Sequence, residues 1–120
     1  MRETKSTNPE RIMLIRFLKK QGRENQAPIW LDIADNLAKP KRKRPSVNLS
    51  RINRNTQRHD TIIVPGKILG SGTVNHSLTV AAFDLSDKAE EKLKAAKAKY
   101  LSIQELVEKN PTGTNIKIIR

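Results

Sequence analysis

Arg51, Arg54 and Arg58 stand three and four residues apart, the spacing that gathers side chains on one face of a helix. Three guanidiniums on one face can grip successive phosphates bidentately, which lysine cannot do. Asn48 and Asn55 add amides able to hydrogen-bond bases or sugars. Just upstream lie Lys39 and the tetrad Lys41-Arg42-Lys43-Arg44. Residues 39–58 thus carry eight cations and no acid, two thirds of the net charge of +12 in one sixth of a 120-residue chain. Such crowding costs self-repulsion, which a polyanion relieves while releasing its condensed counterions. The tetrad alone reads equally well as a solvated loop or a basic localisation signal. Its all-basic continuation through Arg58 favours nucleic acid.

Other chemistries lack their groups. With no cysteine there is no disulfide framework, thiolate metal site or thiol nucleophile. His59 and His76 stand seventeen residues apart without a carboxylate at ligand spacing, so both read as exposed loop histidines rather than metal ligands. Asp84 and Asp87 flank a helix start, where they complement its positive end without any catalytic role. Gly66, Gly70 and Gly72 follow G-x-x-x-G-x-G, neither a phosphate loop nor a dinucleotide fingerprint, and they lead into a strand. Two readings of that segment stay open. It is a hairpin-like turn requiring glycine torsions, or a turn whose bare amides, with Lys67, approach an RNA phosphate or sugar. No catalytic residues, metal or cofactor are therefore expected.

The elements that must carry these residues follow from pattern. Asn8-Pro9-Glu10 opens a first helix, whose stripe of Ile12, Leu14, Ile15, Phe17 and Leu18 faces inward, with Arg11 elsewhere and Gly22 as its stop. Pro28 to Ala38 forms a second, burying Ile29, Trp30, Ile33, Ala34 and Leu37. Lys39-Pro40 ends it, and residues 39–45 form a structureless charged loop that orders only against a partner. Ser46 caps a third helix through Gln57, burying Val47, Leu49 and Ile52. Thr61–Val64 is a β-branched strand stopped by Pro65-Gly66, and 78–83 a second strand, buried on both sides. Ser86 caps a helix to Lys99 with Ala89, Leu93, Ala96 and Tyr100 inward. Ser102-x-x-Glu105 fits a capping box for a helix ending at Asn110-Pro111, and 115–120 closes as a strand. One small α/β domain covers 1–120: a helical basic half, 1–58, containing the loop 39–45, and a mixed α/β half, 59–120. The polar N-terminus and the lack of long apolar runs argue against a signal peptide or membrane span.

Among nucleic acids, folded RNA fits best. Four aromatics, Phe17, Trp30, Phe83 and Tyr100, are too few to serve both a core and base stacking, so backbone and shape recognition remains. Three segments sharpen this reading: Val47-Asn48-Leu49-Ser50-Arg51-Ile52; Val64-Pro65-Gly66-Lys67-Ile68-Leu69-Gly70-Ser71-Gly72; and Asn110-Pro111-x-Gly113 with Ile116-x-Ile118-Ile119-Arg120. In this order, from Thr7 to the C-terminus, the chain resembles the eighteen-e family of archaeal large-subunit ribosomal proteins, relatives of the C-terminal part of bacterial large-subunit protein fifteen. The resemblance implies an irregular superhelix of β-β-α turns preceded by N-terminal helices. It also implies a structural, non-enzymatic role in the cytoplasmic ribosome, with large-subunit ribosomal RNA and neighbouring ribosomal proteins as partners and no small-molecule substrate or membrane. RNA contact carries over to Asn48, Arg51, Lys67, Gly70 and Gly72. Lys39, Lys41, Arg42, Lys43, Arg44, Arg54 and Arg58 join them by charge. The alternative is a DNA-binding chromatin or regulatory module that lays the arginine ridge in a major groove.

Overall fold

A computed structural model describes residues 9–120; the N-cap expected at Asn8 lies outside them. Helix α1 (Pro9–Glu24) leads through Ala27 to α2 (Pro28–Ala38), which starts on its proline as expected. A single 3-10 turn (Lys41–Lys43) precedes strand β1 (Ser46–Asn48) and the short helix α3 (Leu49–Arg54). Then come β2 (Thr61–Leu69), β3 (Thr79–Leu85), α4 (Asp87–Ala95), β4 (Lys99–Ser102), α5 (Ile103–Lys109) and β5 (Ile116–Ile118). The chain is one small mixed α/β domain with its helical segment first and a parallel sheet after it; the later part holds one β-β-α step, β2-β3-α4, followed by β4-α5-β5.

All strand pairs are parallel, in the order β1-β2-β3-β4, and β5 also lies along β2. This overturns the hairpin-like reading of the glycine segment. A parallel partner must start beside β2's own beginning, and Thr79 indeed pairs with Thr61. Residues 70–78 therefore form a crossover back along the sheet. Nor do Pro65 and Gly66 stop β2. The strand runs through them with a register shift between Val64 and Lys67, where a proline that cannot donate to the ladder is tolerated.

Side chains alternate across the sheet. Ile63, Ala81 and Leu101 face the layer of α1, α2 and α5, packing with Leu18, Trp30, Ile33, Leu37, Ile103, Leu106 and Val107. Ile62, Val64, Ile68, Val80 and Ala82 face the other layer, against Leu49, Ile52, Val74, Leu78, Ala89 and Leu93. Several local expectations hold, including the Ser86 cap on the amide of Ala89 and the full capping box of Ser102 and Glu105.

Others need correction. Gly22 does not end α1; it is buried inside the helix, where a Cβ would meet Leu31 at 2.9 Å. Arg11 points inward, its guanidinium donating to the Leu37 carbonyl at 2.8 Å, while Ile12 is exposed. Ser46 does not cap a helix; residues 46–48 pair with Lys67–Leu69, and α3 starts at Leu49. Helix α4 stops at Ala95, short of Lys99. Lys97 then takes φ +60°, and Tyr100 sits half-exposed on β4 instead of inward.

Candidate nucleic-acid interface

Helix α3 buries Leu49 and Ile52 and so turns Arg51 and Arg54 outward, both exposed. Its back is held by the crossover 70–78. The amide of Ser50 donates to the Ser71 carbonyl (3.1 Å), and the amide of Asn75 to Asn53 Oδ1 (2.9 Å). The Thr56 hydroxyl donates to the Ile52 carbonyl at 2.8 Å and lies 2.8 Å from His76 Nε2. Its one proton is committed to that carbonyl, so the imidazole N–H must donate to it. His76 is therefore half-buried and pinned, not the free loop histidine expected, whereas His59 is exposed. Among the described residues no cluster of His, Asp or Glu could hold a metal ion.

The expected three-arginine helical ridge is shortened. α3 ends at Arg54, because the Asn55 side chain folds back onto the Arg51 carbonyl (2.7 Å) and Thr56 onto that of Ile52. Arg58 follows in an exposed turn. Asn48 is the exposed N-cap residue of α3, and its side chain makes no capping bond.

Within the loop 39–45, Lys41–Lys43 make a single 3-10 turn. Pro40 and Pro45 bracket a turn closed by the amide of Lys43 donating to the Pro40 carbonyl (2.8 Å). At its far end the Pro45 carbonyl accepts the amide of Lys67 (3.0 Å). Lys39, Arg42 and Lys43 are exposed. Arg44 is half-buried with its Nε enclosed and without a hydrogen-bond partner. Burial first, and then the nearby Arg11 guanidinium, hold it below the ordinary arginine range.

Two predicted residues lie in other surroundings. Lys67 is exposed on β2, 3.9 Å from the equally open Asp84, a spacing at which a solvated pair contributes little. Gly70 is buried beneath the first turn of α4, and a Cβ would fall 2.8 Å from that of Lys88. Its need for glycine is close approach, not a left-handed torsion, and its amide is not presented outward as the sequence suggested. Gly72 does have positive φ, +86°, is exposed, and leaves no room for a Cβ beside Ser50.

Sequence reasoning missed three cations. Lys92 donates to the carbonyls of Gly70 (2.8 Å) and Gly72 (2.7 Å), clamping the start of the crossover. Lys117 and Arg120 join Arg51 and Asn55 around a shallow cleft of about 370 Å³. Lys117 is anchored by Asp60 (3.0 Å) and Arg120 by Asp32 (3.1 Å). The Gln57 amide and Lys117 together hold the Asp60 carboxyl below the usual carboxylate range. The positive balance of the C-terminal residues was visible in the sequence. Their approach to Arg51 was not, because only the pairing of β5 with β2 brings them there.

A family model described as ribosomal protein 60S L18 and 50S L18e matches residues 1–120. The large ribosomal subunit protein eL18 of Methanoregula boonei is 44% identical over 119 residues, covering 99% of this chain and 98% of its own length. That of Methanococcus maripaludis is 43% identical over 99% of both chains, and that of Halobacterium salinarum 44% identical over 95% of this chain and 97% of its own. Matched end to end by that model and by these relatives, the chain belongs to the family of ribosomal protein 60S L18 and 50S L18e.

Proposed function

We propose that this chain is a structural constituent of the large ribosomal subunit in the cytoplasm, and that it binds and stabilises folded ribosomal RNA beside neighbouring ribosomal proteins. The α3 side forms the docking surface: Arg51, Arg54, Arg58 and Asn48, with Lys39 and the loop 41–44 on one flank and Lys117 and Arg120 on the other. Lys67 and the Gly72 turn extend it. The observation that carries this reading is the outward display of Arg51 and Arg54 with no carboxylate paired to either among the described residues. Aromatic side chains are nearly absent from this surface, which favours phosphate and shape recognition over stacking. A major-groove reader is disfavoured, because α3 has six residues and spans only about 9 Å, too short to carry all three arginines along a groove.

Arg51→Ala and Arg54→Ala are each expected to weaken RNA binding by about 1–3 kcal/mol, with melting temperature nearly unchanged because both side chains are exposed. Filter binding to large-subunit RNA fragments measures the first and a thermal melt the second. A large fall in melting temperature would assign them to the fold instead. Neutralising residues 41–44 should flatten the salt dependence of binding by about 0.7–0.9 log units for each phosphate contact removed; an unaltered slope would take the loop out of the interface. The decisive experiment is co-sedimentation with large subunits through a high-salt wash. A protein that washes off, yet binds duplex DNA as tightly as RNA, would not have this role.

A further inference from the structure

A second cationic surface lies outside the docking side just described. On α1, Arg16, Lys19, Lys20 and Arg23 are all exposed. Their spacings of three, four and seven residues place them in one outward stripe, spread over about 10 Å of helix axis. Ile12 and Met13 continue the stripe toward the N-terminal end; Met13 is 69% exposed. None of the four cations is ion-paired among the described residues. The opposite face of α1 is fully used, with Leu14, Ile15, Phe17 and Leu18 packed into the core shared with α2 and α5.

Position is what separates this stripe from the arginines of α3. α1 belongs to the layer over Ile63, Ala81 and Leu101, and α3 to the layer over Ile62, Val64 and Val80. The sheet lies between these two helices; the basic loop does reach round to the start of α1, where Arg44 lies near Arg11, but the stripe from Arg16 to Arg23 lies further along the helix. Four unpaired cations in a fixed row complement a polyphosphate, and no exposed aromatic accompanies them to favour stacked single strands.

We propose that the outward face of α1 is a second RNA-docking surface, so that one molecule bridges two RNA segments held on opposite sides of its sheet. This rests on the reading that the α3 side holds RNA, and it adds that the protein is a two-sided strut. The charged stripe itself costs stability through self-repulsion, and a second RNA segment removes that cost.

A bridging assay tests it with the full chain and two 16-base-pair RNA duplexes, one biotinylated on beads and one fluorescent. The wild-type protein should carry the fluorescent duplex onto the beads. The quadruple variant Arg16→Gln, Lys19→Gln, Lys20→Gln, Arg23→Gln should lose at least about tenfold of that capture. Its own retention on the bead-bound duplex should fall less than about threefold, and circular dichroism should show native helix content. Arg51→Gln with Arg54→Gln should cut retention itself. Bridging by the quadruple variant at the wild-type level overturns the proposal, as does wild-type protein that binds the beads yet captures no second duplex. So does polyglutamate displacing the fluorescent duplex at lower charge concentration than unlabelled duplex, which would assign the face to an acidic protein. Failure of wild-type protein to bind the beads at all is a different result, because it removes the underlying RNA-binding reading as well.

Discussion

Trp30→Ala should lower the free energy of unfolding by about 3–5 kcal/mol, the range for truncating a buried large aromatic. Trp30 is 0% exposed in the core between α1, α2 and the sheet. Its indole Nε1 also donates to the carbonyl of Pro111 at 2.7 Å, so truncation leaves a cavity and an unpaired acceptor together. The same ring packs near Gly113, whose φ of +71° and closeness to Ile29 allow no side chain. The indole therefore fastens α2 to the turn that feeds β5. Urea denaturation measures the loss, and Trp30→Phe should recover much of it by refilling the cavity without restoring the bond. A change under about 1 kcal/mol in Trp30→Ala would show that the core closes around the gap and that the turn does not depend on it.

Gly66→Ala should be comparably damaging, about 3 kcal/mol or more, through overpacking rather than a void. A Cβ on Gly66 would land on the Pro45 carbonyl oxygen, the group that accepts the Lys67 amide. Relief requires β1 and the end of the basic loop to move away from β2. The expected signature is thus double: a lower melting temperature, and faster proteolytic cleavage between residues 39 and 46. Wild-type behaviour in both measurements would mean that the joint between loop and sheet has slack. The effect on RNA affinity would follow from a loop no longer fastened at its far end, with every cation still present.

Local signals were the legible part of this protein. Pro28, Ser86 and the Ser102–Glu105 pair announced helix starts, because caps act within four residues. Apolar spacing placed Trp30, Ile33, Leu37, Leu49, Ile52, Ala89 and Leu93 inside, where they are found. What escaped depends on partners distant in sequence. Three residues, 46–48, become a strand only because Lys67–Leu69 lie beside them. Pro65-Gly66 reads as a stop unless a register shift absorbs it. Arg11 looked like a surface cation, yet the Leu37 carbonyl 26 residues away draws it in. In the proposed interface, the outward placement of Arg51 and Arg54 was readable from type and spacing. The separation of Arg58, the burial of Gly70 and the arrival of Lys117 and Arg120 were set by the parallel crossovers.

The exclusively parallel sheet also governs how the molecule comes to exist. Neighbouring strands here never meet through a tight hairpin, so each pairing closes a long loop before it returns any energy. The central strand, residues 61–69, stays incomplete until residues 116–118 have been synthesised and have travelled back to it. Acquisition of structure should accordingly be slow for so small a chain, with the edges of the unfinished sheet open to wrong pairings during that interval.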